Sequence, residues 1–200
     1  IAIIDKNMKN IPGGVAYSQE NSKFGYLNNP LRLSHPEFIK WFNLNENKKI
    51  QLEEGESIGF KNFENFDLKF EFNLSKNSAG GLEYFSNEKN EKFTFQIIDN
   101  DSLSKEEQGG SQSLASIKGI IPSQNLCVPG RHRDFRGLGN WNTGRIIVNN
   151  GKIEHWMNGY KMVEQEISEL NLNWKKGNHQ ISIQNHAGKV DFRSIRMKKL

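Results

Sequence analysis

Between Phe66 and Ser75 the chain alternates for nine residues: Phe66, Leu68, Phe70, Phe72 and Leu74 are apolar, and Asp67, Lys69, Glu71 and Asn73 separate them. A period of two places the apolar side chains on one face of a strand, whereas a helix would scatter the phenylalanines around its axis. Such a strand has a wet face and a dry one, and the dry face needs a second layer. Further strand-like runs follow at Ile50–Glu54, Leu82–Ser86, Phe93–Ile98, Gly144–Val148, Lys152–Met157, Tyr160–Gln165, His179–Gln184 and Lys189–Met197. Asn150-Gly151 and Asn158-Gly159 each stand between two of these runs, and both residue types tolerate the positive φ of a tight hairpin. Gly144 to Gln165 therefore reads as a three-stranded meander. Helical signals are short, at Pro36–Phe42 and Val163–Leu172. The economical architecture is all-β: two antiparallel sheets packed face to face as a β-sandwich or jelly roll.

Composition agrees. Phe, Leu, Ile and Val supply 52 of 200 residues, enough for a core, and 25 Asn with 18 Gly favour turns. The net charge is +4, with acids and bases interspersed and no charged tail. No apolar run approaches the ~20 residues of a membrane-spanning helix. The lone Cys127 makes no internal disulfide and no structural zinc site by itself. No linker or internal repeat divides the chain, so residues 1–200 are expected to form one domain, with 50–200 as its core and 1–48 as an irregular extension wrapping the sandwich. The sequence opens on Ile1, as expected of a trimmed or processed chain.

Two stretches break the strand pattern, Leu103–Ser113 and Pro122–Asn140, the second carrying Arg131, His132, Arg133, Asp134, Phe135 and Arg136. Long polar loops on a rigid scaffold are common seats of binding chemistry. Around them runs an ordered series: Phe66–Phe72, Gly81-Leu82-Glu83-Tyr84, Phe95-Gln96-Ile97-Ile98-Asp99-Asn100 and Trp141-Asn142-Thr143 with Arg145-Ile146. It continues with Glu154–Gly159, Ile183-Gln184-Asn185-His186 and Val190–Ile195. In order and spacing this series, from about Ile50 to Leu200, resembles the 3-keto-disaccharide hydrolase domain family, which has the concanavalin A-like lectin/glucanase jelly-roll fold.

The resemblance implies a carbohydrate site on the concave sheet and activity on glycosides oxidised at carbon 3. A 3-keto group acidifies the neighbouring C–H, so the glycosidic bond can break by elimination followed by hydration. That chemistry needs a base, a group that polarises the ketone, and an acid for the leaving oxygen. It does not need the paired carboxylates of ordinary glycosidases. The resemblance also implies a secreted, periplasmic or lipid-anchored protein.

Alternation puts Thr94, Gln96 and Ile98 on one face of their strand, with Asp99 joining them through a bulge. The family usually has Glu at the position of Thr94, Arg at Phe85, Tyr at Lys118 and Glu at Asn140, so the best general acid/base position is missing here. In the last strand, Val190 and Phe192 share one parity and Ile195 and Met197 the other, which predicts a bulge at Arg193–Ser194. Arg193 is then either aimed at the site or a solvated arginine at a strand edge. His186 beyond Gln184 is either a base or sugar contact, or a turn histidine bonding the backbone. Trp141 is the tryptophan expected in the cleft, beside Asn142, and Trp156 is expected in the core. Trp41 and Trp174 receive no role. The expected site thus comprises His186 or Lys118 as base, Arg193 or a bound divalent cation polarising the ketone, and Asp99, Thr94, Gln96, Gln184, Trp141 and Asn142 lining it.

Other classes fit less well. Asp99-Asn100-Asp101 opens like a calcium loop, but Gly110 stands where the bidentate Glu belongs, which excludes an EF-hand and leaves only a looser divalent site at Asp99. The five histidines, His35, His132, His155, His179 and His186, show no zinc-ligand spacing, so no metal ligand and no organic cofactor is assigned. The arginines of the 131–136 loop and the basic tail read as solvated surface, not a nucleic-acid face. The rival to an enzyme is a lectin-like module that binds sugar without turnover, motivated by Thr94 and Asn140 where acids would stand.

Overall fold

The structure is a computed structural model that describes residues 3–4, 10–11, 41–43, 49–61, 64–86, 92–124, 135–170 and 180–200. Thirteen strands are seen: β1 (Ile3–Ile4), β2 (Asn10–Ile11), β3 (Trp41–Asn43), β4 (Ile50–Gln51), β5 (Ser57–Lys61), β6 (Phe66–Leu74) and β7 (Ala79–Ser86). They continue with β8 (Lys92–Ile98), β9 (Asn142–Asn149), β10 (Lys152–Met157), β11 (Tyr160–Glu166), β12 (Gln180–Ala187) and β13 (Val190–Lys199). Two antiparallel sheets hold the core. One is seven-stranded, in the order β11-β10-β9-β6-β13-β3 with β4 also on β13; the other is four-stranded, β5-β12-β7-β8. The all-β sandwich expected from the alternation is the fold observed. The wrapping extension expected of residues 1–48 falls largely on residues outside those described, although Trp41–Asn43, expected at the end of a short helix, is a strand on the edge of the larger sheet. The second helical signal survives as a single 3₁₀ turn, Ile167–Leu170.

The core lies between the sheets. Phe66, Leu68, Phe70, Phe72 and Leu74 on β6 are all buried and meet Tyr84, Phe93 and Phe95 from the smaller sheet. Phe70 and Phe95 pack edge to face at 5.3 Å, the geometry aromatic quadrupoles favour. At Gly144 on β9 an added Cβ would fall within 3 Å of the Phe70 ring, so the glycine gives that ring its place. The sheets are also tied by a polar link: Tyr84 Oη donates to His155 Nε2 at 2.5 Å, and His155 Nδ1 donates to the carbonyl of Ala115 at 2.9 Å. Burial pushes the His155 imidazole down to about 4, so it is neutral near pH 7 and accepts the tyrosine hydrogen bond. Because His155 points inward, its neighbour Trp156 points outward. The core role expected of Trp156 is thereby corrected: it lies on the outer face of β10.

Both Asn-Gly pairs turn as read, with positive φ at Asn150 and Gly151 and at Asn158 and Gly159. The parity flip in β13 is also real: Ser194 has φ 54° and the pairing with β6 shifts between Arg193 and Arg196. A matching irregularity in β7 gives Phe85 φ 67° and turns it into the core against Phe66, Tyr84 and Phe93.

Candidate functional site

The outer face of the four-stranded sheet collects most of the residues singled out above. Antiparallel register fixes two rows across it. In one, Ser57, Gln184, Gly81 and Gln96 lie side by side; in the next, Gly59, Ser182, Glu83 and Thr94. Gly81 leaves a gap between the amides of Gln184 and Gln96, roughly 10 Å apart by two strand spacings. A Cβ there would come within 2.7 Å of the Phe95 carbonyl and 2.8 Å of Thr94 Cγ2.

The far edge of this sheet is closed by the segment after the first long loop. Ala115 N–H donates to Gln96 O at 2.8 Å, Gln96 N–H to Ser116 O at 3.1 Å, and Lys118 N–H to Thr94 O at 3.0 Å. This pairing covers the β8 edge and seats Lys118 beside Thr94. On the β12 side, the pairing with β7 slips between Asn185 and Ala187, leaving His186 as the extra residue of a bulge. Partial burial, then the charge of Lys118, lowers the His186 pKa against the pull of Glu83, with Lys92 adding to the lowering. The imidazole is therefore held in its neutral, proton-accepting form near pH 7.

Two features make this face chemically unfinished. Gln96 is 2 % exposed and its Oε1 has no hydrogen-bond partner among the described residues. A buried acceptor without a donor costs free energy, which a ligand hydroxyl would recover. Second, Glu83 supplies a carboxylate at the register partner of Thr94, where it accepts from Lys92 Nζ at 2.6 Å and Ser182 Oγ at 3.1 Å. Glu83 was absent from the residues expected from sequence, because the acid sits one strand away from the position where the motif looks for it. Cross-strand register is the only signal that could have found it.

The structure divides the remaining candidates. Arg193 and Trp141 lie on the outer face of the seven-stranded sheet, on the opposite side of the core from His186. Arg193 Nε donates to Glu71 at 2.5 Å and its guanidinium stacks 4.0 Å from the Trp141 ring centroid. The expected convergence of Arg193 with His186 is thus corrected: consecutive strands β12 and β13 enter different sheets. Asp99 is buried, and its two oxygens accept from the N–H groups of Asn77 at 2.9 Å and Asp101 at 3.2 Å, where it caps a 3₁₀ turn. Asn142 is fully buried and braces its loop by bonds to Arg136 N, Asn140 O and Asn158 Nδ2. Among the described residues no three His, Cys, Asp or Glu side chains stand close enough to hold a metal ion. The Arg131–Asp134 run, Cys127, Trp174, His35 and His179 lie outside the described residues.

Known proteins share this framework. A candidate glycosyl hydrolase from Parabacteroides distasonis superposes with a TM-score of 0.59 at 19 % identity, covering 82 % of this chain and 90 % of the other. A Bacillus subtilis protein of unknown function with a galectin-like fold gives 0.50 at 10 % identity, over 80 % and 86 %. These likenesses concern the fold. In sequence, the chain is 26 % identical over 187 residues to the 3-keto-disaccharide hydrolase of Bacteroides thetaiotaomicron, an alignment that takes in 73 % of this chain and 62 % of that protein's length. The profile of the 3-keto-alpha-glucoside-1,2-lyase-like domain matches residues 46–198, and the chain belongs to that family.

Proposed function

We propose that the domain binds a 3-keto-glycoside on the outer face of the four-stranded sheet and cleaves it by elimination. The observation that carries this reading is the grouping of a neutral imidazole, a lysine and a carboxylate around the unpartnered Gln96 amide. His186 takes the proton from the carbon next to the ketone, and the electron pair moves toward the ketone oxygen. Lys118 is the cation that stabilises the resulting enolate, the role that Arg193 cannot fill from the opposite face. As the C–O bond to the leaving sugar breaks, the imidazolium returns its proton to the departing oxygen. Gln96 and Gln184 hold the ring by its hydroxyls across the gap at Gly81, and Glu83 orients Lys92 and accepts from a sugar hydroxyl.

The family position where Thr94 replaces Glu favours a second reading, a lectin-like module without turnover. One pair of measurements separates them: sugar release from a 3-keto-disaccharide and calorimetric binding of the same compound. His186→Ala is expected to lower release at least 100-fold while binding changes less than fivefold, and Glu83→Gln about tenfold. Binding without release in the wild-type domain establishes the module; neither binding nor release removes both readings.

A further inference from the structure

We propose that a groove on the outer face of the seven-stranded sheet is a second saccharide site, for a sugar unit that carries a carboxylate or sulfate. The groove has a volume of about 430 Å³. Register aligns one row of side chains over five strands: Trp156, Arg145, Lys69 and Arg196 line the groove, and Lys161 stands next to Trp156 outside it. Cross-strand neighbours on one face stand about 5 Å apart, and like charges directly opposite each other destabilise a sheet. Arg145, Lys69 and Arg196 are three such cations in succession.

The row is only partly neutralised. Asp67 binds Arg145 through two bonds of 2.7 Å. Lys161 is held by Glu154 at 3.2 Å and by Glu164. Arg196 has no carboxylate partner among the described residues. Burial, with the neighbouring Arg145, pushes the Lys69 ammonium below the usual lysine range, and Lys198 and Arg196 add to this against the pull of Asp67. An anion entering the groove would relieve this crowding, and guanidinium is the cation best shaped for a carboxylate or sulfate.

The rest of the groove suits a sugar ring. Trp156 is fixed by its indole N–H donating to Glu154 at 2.8 Å and by Lys161 5.1 Å from its ring centroid. Thr143, Asn158 and Glu71 supply hydroxyl, amide and carboxylate groups at the groove wall. An aromatic plate beside donors, acceptors and a spare cation fits a charged pyranose better than a bare ion.

Calorimetric titration with a tetramer of galacturonic acid, its neutral methyl ester and a sulfated galactan tetrasaccharide tests the site. At least one acidic oligomer should bind tenfold or more tightly than the ester, more weakly as salt rises. Which acidic oligomer binds tighter identifies the anion. Arg196→Gln should weaken that binding at least tenfold and Arg196→Lys less, both with unchanged melting temperature, and His186→Ala should leave it unchanged. Equal binding of the ester, full affinity in Arg196→Gln, or loss in His186→Ala would each overturn the proposal. So would inorganic sulfate competing at the oligomer's own concentration, which would mark an ion site only.

Discussion

On the outer face of the seven-stranded sheet, Asp67 grips Arg145, Glu71 grips Arg193, and Glu154 holds both Lys161 and the Trp156 indole. On the outer face of the four-stranded sheet, by contrast, Gln96 ends in an unpaired oxygen, a glycine opens the floor, and His186 stands out of register. The first face rests on strands of up to ten residues, and its two register shifts, at His155–Trp156 and Arg193–Arg196, leave these ion pairs in place. The second has one register slip in each of its two inner strands and is finished by an irregular segment instead of a strand. The shift in β13 turns Arg193 onto Glu71 and Trp141, whereas the slip in β12 leaves His186 as an extra residue on the sheet that carries the unpartnered Gln96 oxygen. That contrast is why the elimination chemistry is proposed for the smaller sheet.

The two sheets meet at Tyr84 and His155, and this link offers the strongest way to break the molecule between its faces. An unfolded histidine titrates near 6.5, and folded His155 titrates at about 4. Above pH 6.5 the group is neutral in both states and costs nothing. As pH falls from 6.5 toward 4, the unfolded chain takes up a proton that the folded protein refuses, so stability declines, by about 3 kcal/mol at 1.36 kcal/mol per unit. The Ala115 carbonyl that receives His155 lies in the segment that carries Lys118, so acid should loosen the site along with the fold. Urea midpoints at pH 7 and pH 4.5 measure the loss. The double variant Tyr84→Phe/His155→Leu should be flatter over this range than the wild type, and an equal slope would assign the acid sensitivity to other groups.

Much of the sandwich was legible because half-buried strands carry their own period. The Phe66 strand, the Asn-Gly meander and the parity flip before Ser194 all declare themselves within one strand or hairpin. Ser57–Lys61 escaped because Ile58 and Phe60 are its only apolar residues and Gly59 lies between them. Trp156 was misplaced for a different reason: the inward residue beside it is His155, a polar group satisfied by Tyr84 and Ala115, so polarity and burial are inverted. The site was legible in pieces. Parity says which residues of a strand share a face, but not which sheet the strand joins. Gly188 and Lys189 alone separate β12 from β13, yet those strands go to opposite layers, and with them His186 and Arg193 part company. Glu83 was hidden by the same limit, since its neighbourhood with Thr94 exists only across strands.

If the faces are independent, a disturbance confined to the inside of the larger sheet should cost stability and spare the sugar site. Gly144→Ala places a methyl group against the Phe70 ring, which is locked by Phe95 and Phe72 and has nowhere to move. Overpacking of this kind costs about 1–3 kcal/mol. In a protein of this size the melting temperature should fall by roughly 2–12 °C. Binding of a 3-keto-disaccharide below the transition should stay within threefold of wild type. A larger change would show that Phe95, which follows Thr94 on β8, transmits strain across the core to the site.

The smallest expected effect on stability is the most informative about the larger sheet's outer face. Asp67 is 6 % exposed at its side chain, and its bonds to Arg145 satisfy both partners on a surface where Arg145 keeps 36 % of its own exposure. Partly exposed pairs contribute about 1 kcal/mol or less, so Asp67→Asn should lower the melting temperature by only about 2–4 °C. Its electrostatic effect runs the other way. Removing the carboxylate leaves Arg145 unneutralised beside Lys69 and Arg196, and the groove becomes more positive. An acidic oligosaccharide should then bind severalfold more tightly, while the neutral ester is unaffected. If Asp67→Asn instead weakens the acidic sugar, the Asp67–Arg145 pair is a positioning device for the guanidinium, and the groove depends on how its cations are held more than on how many are unpaired.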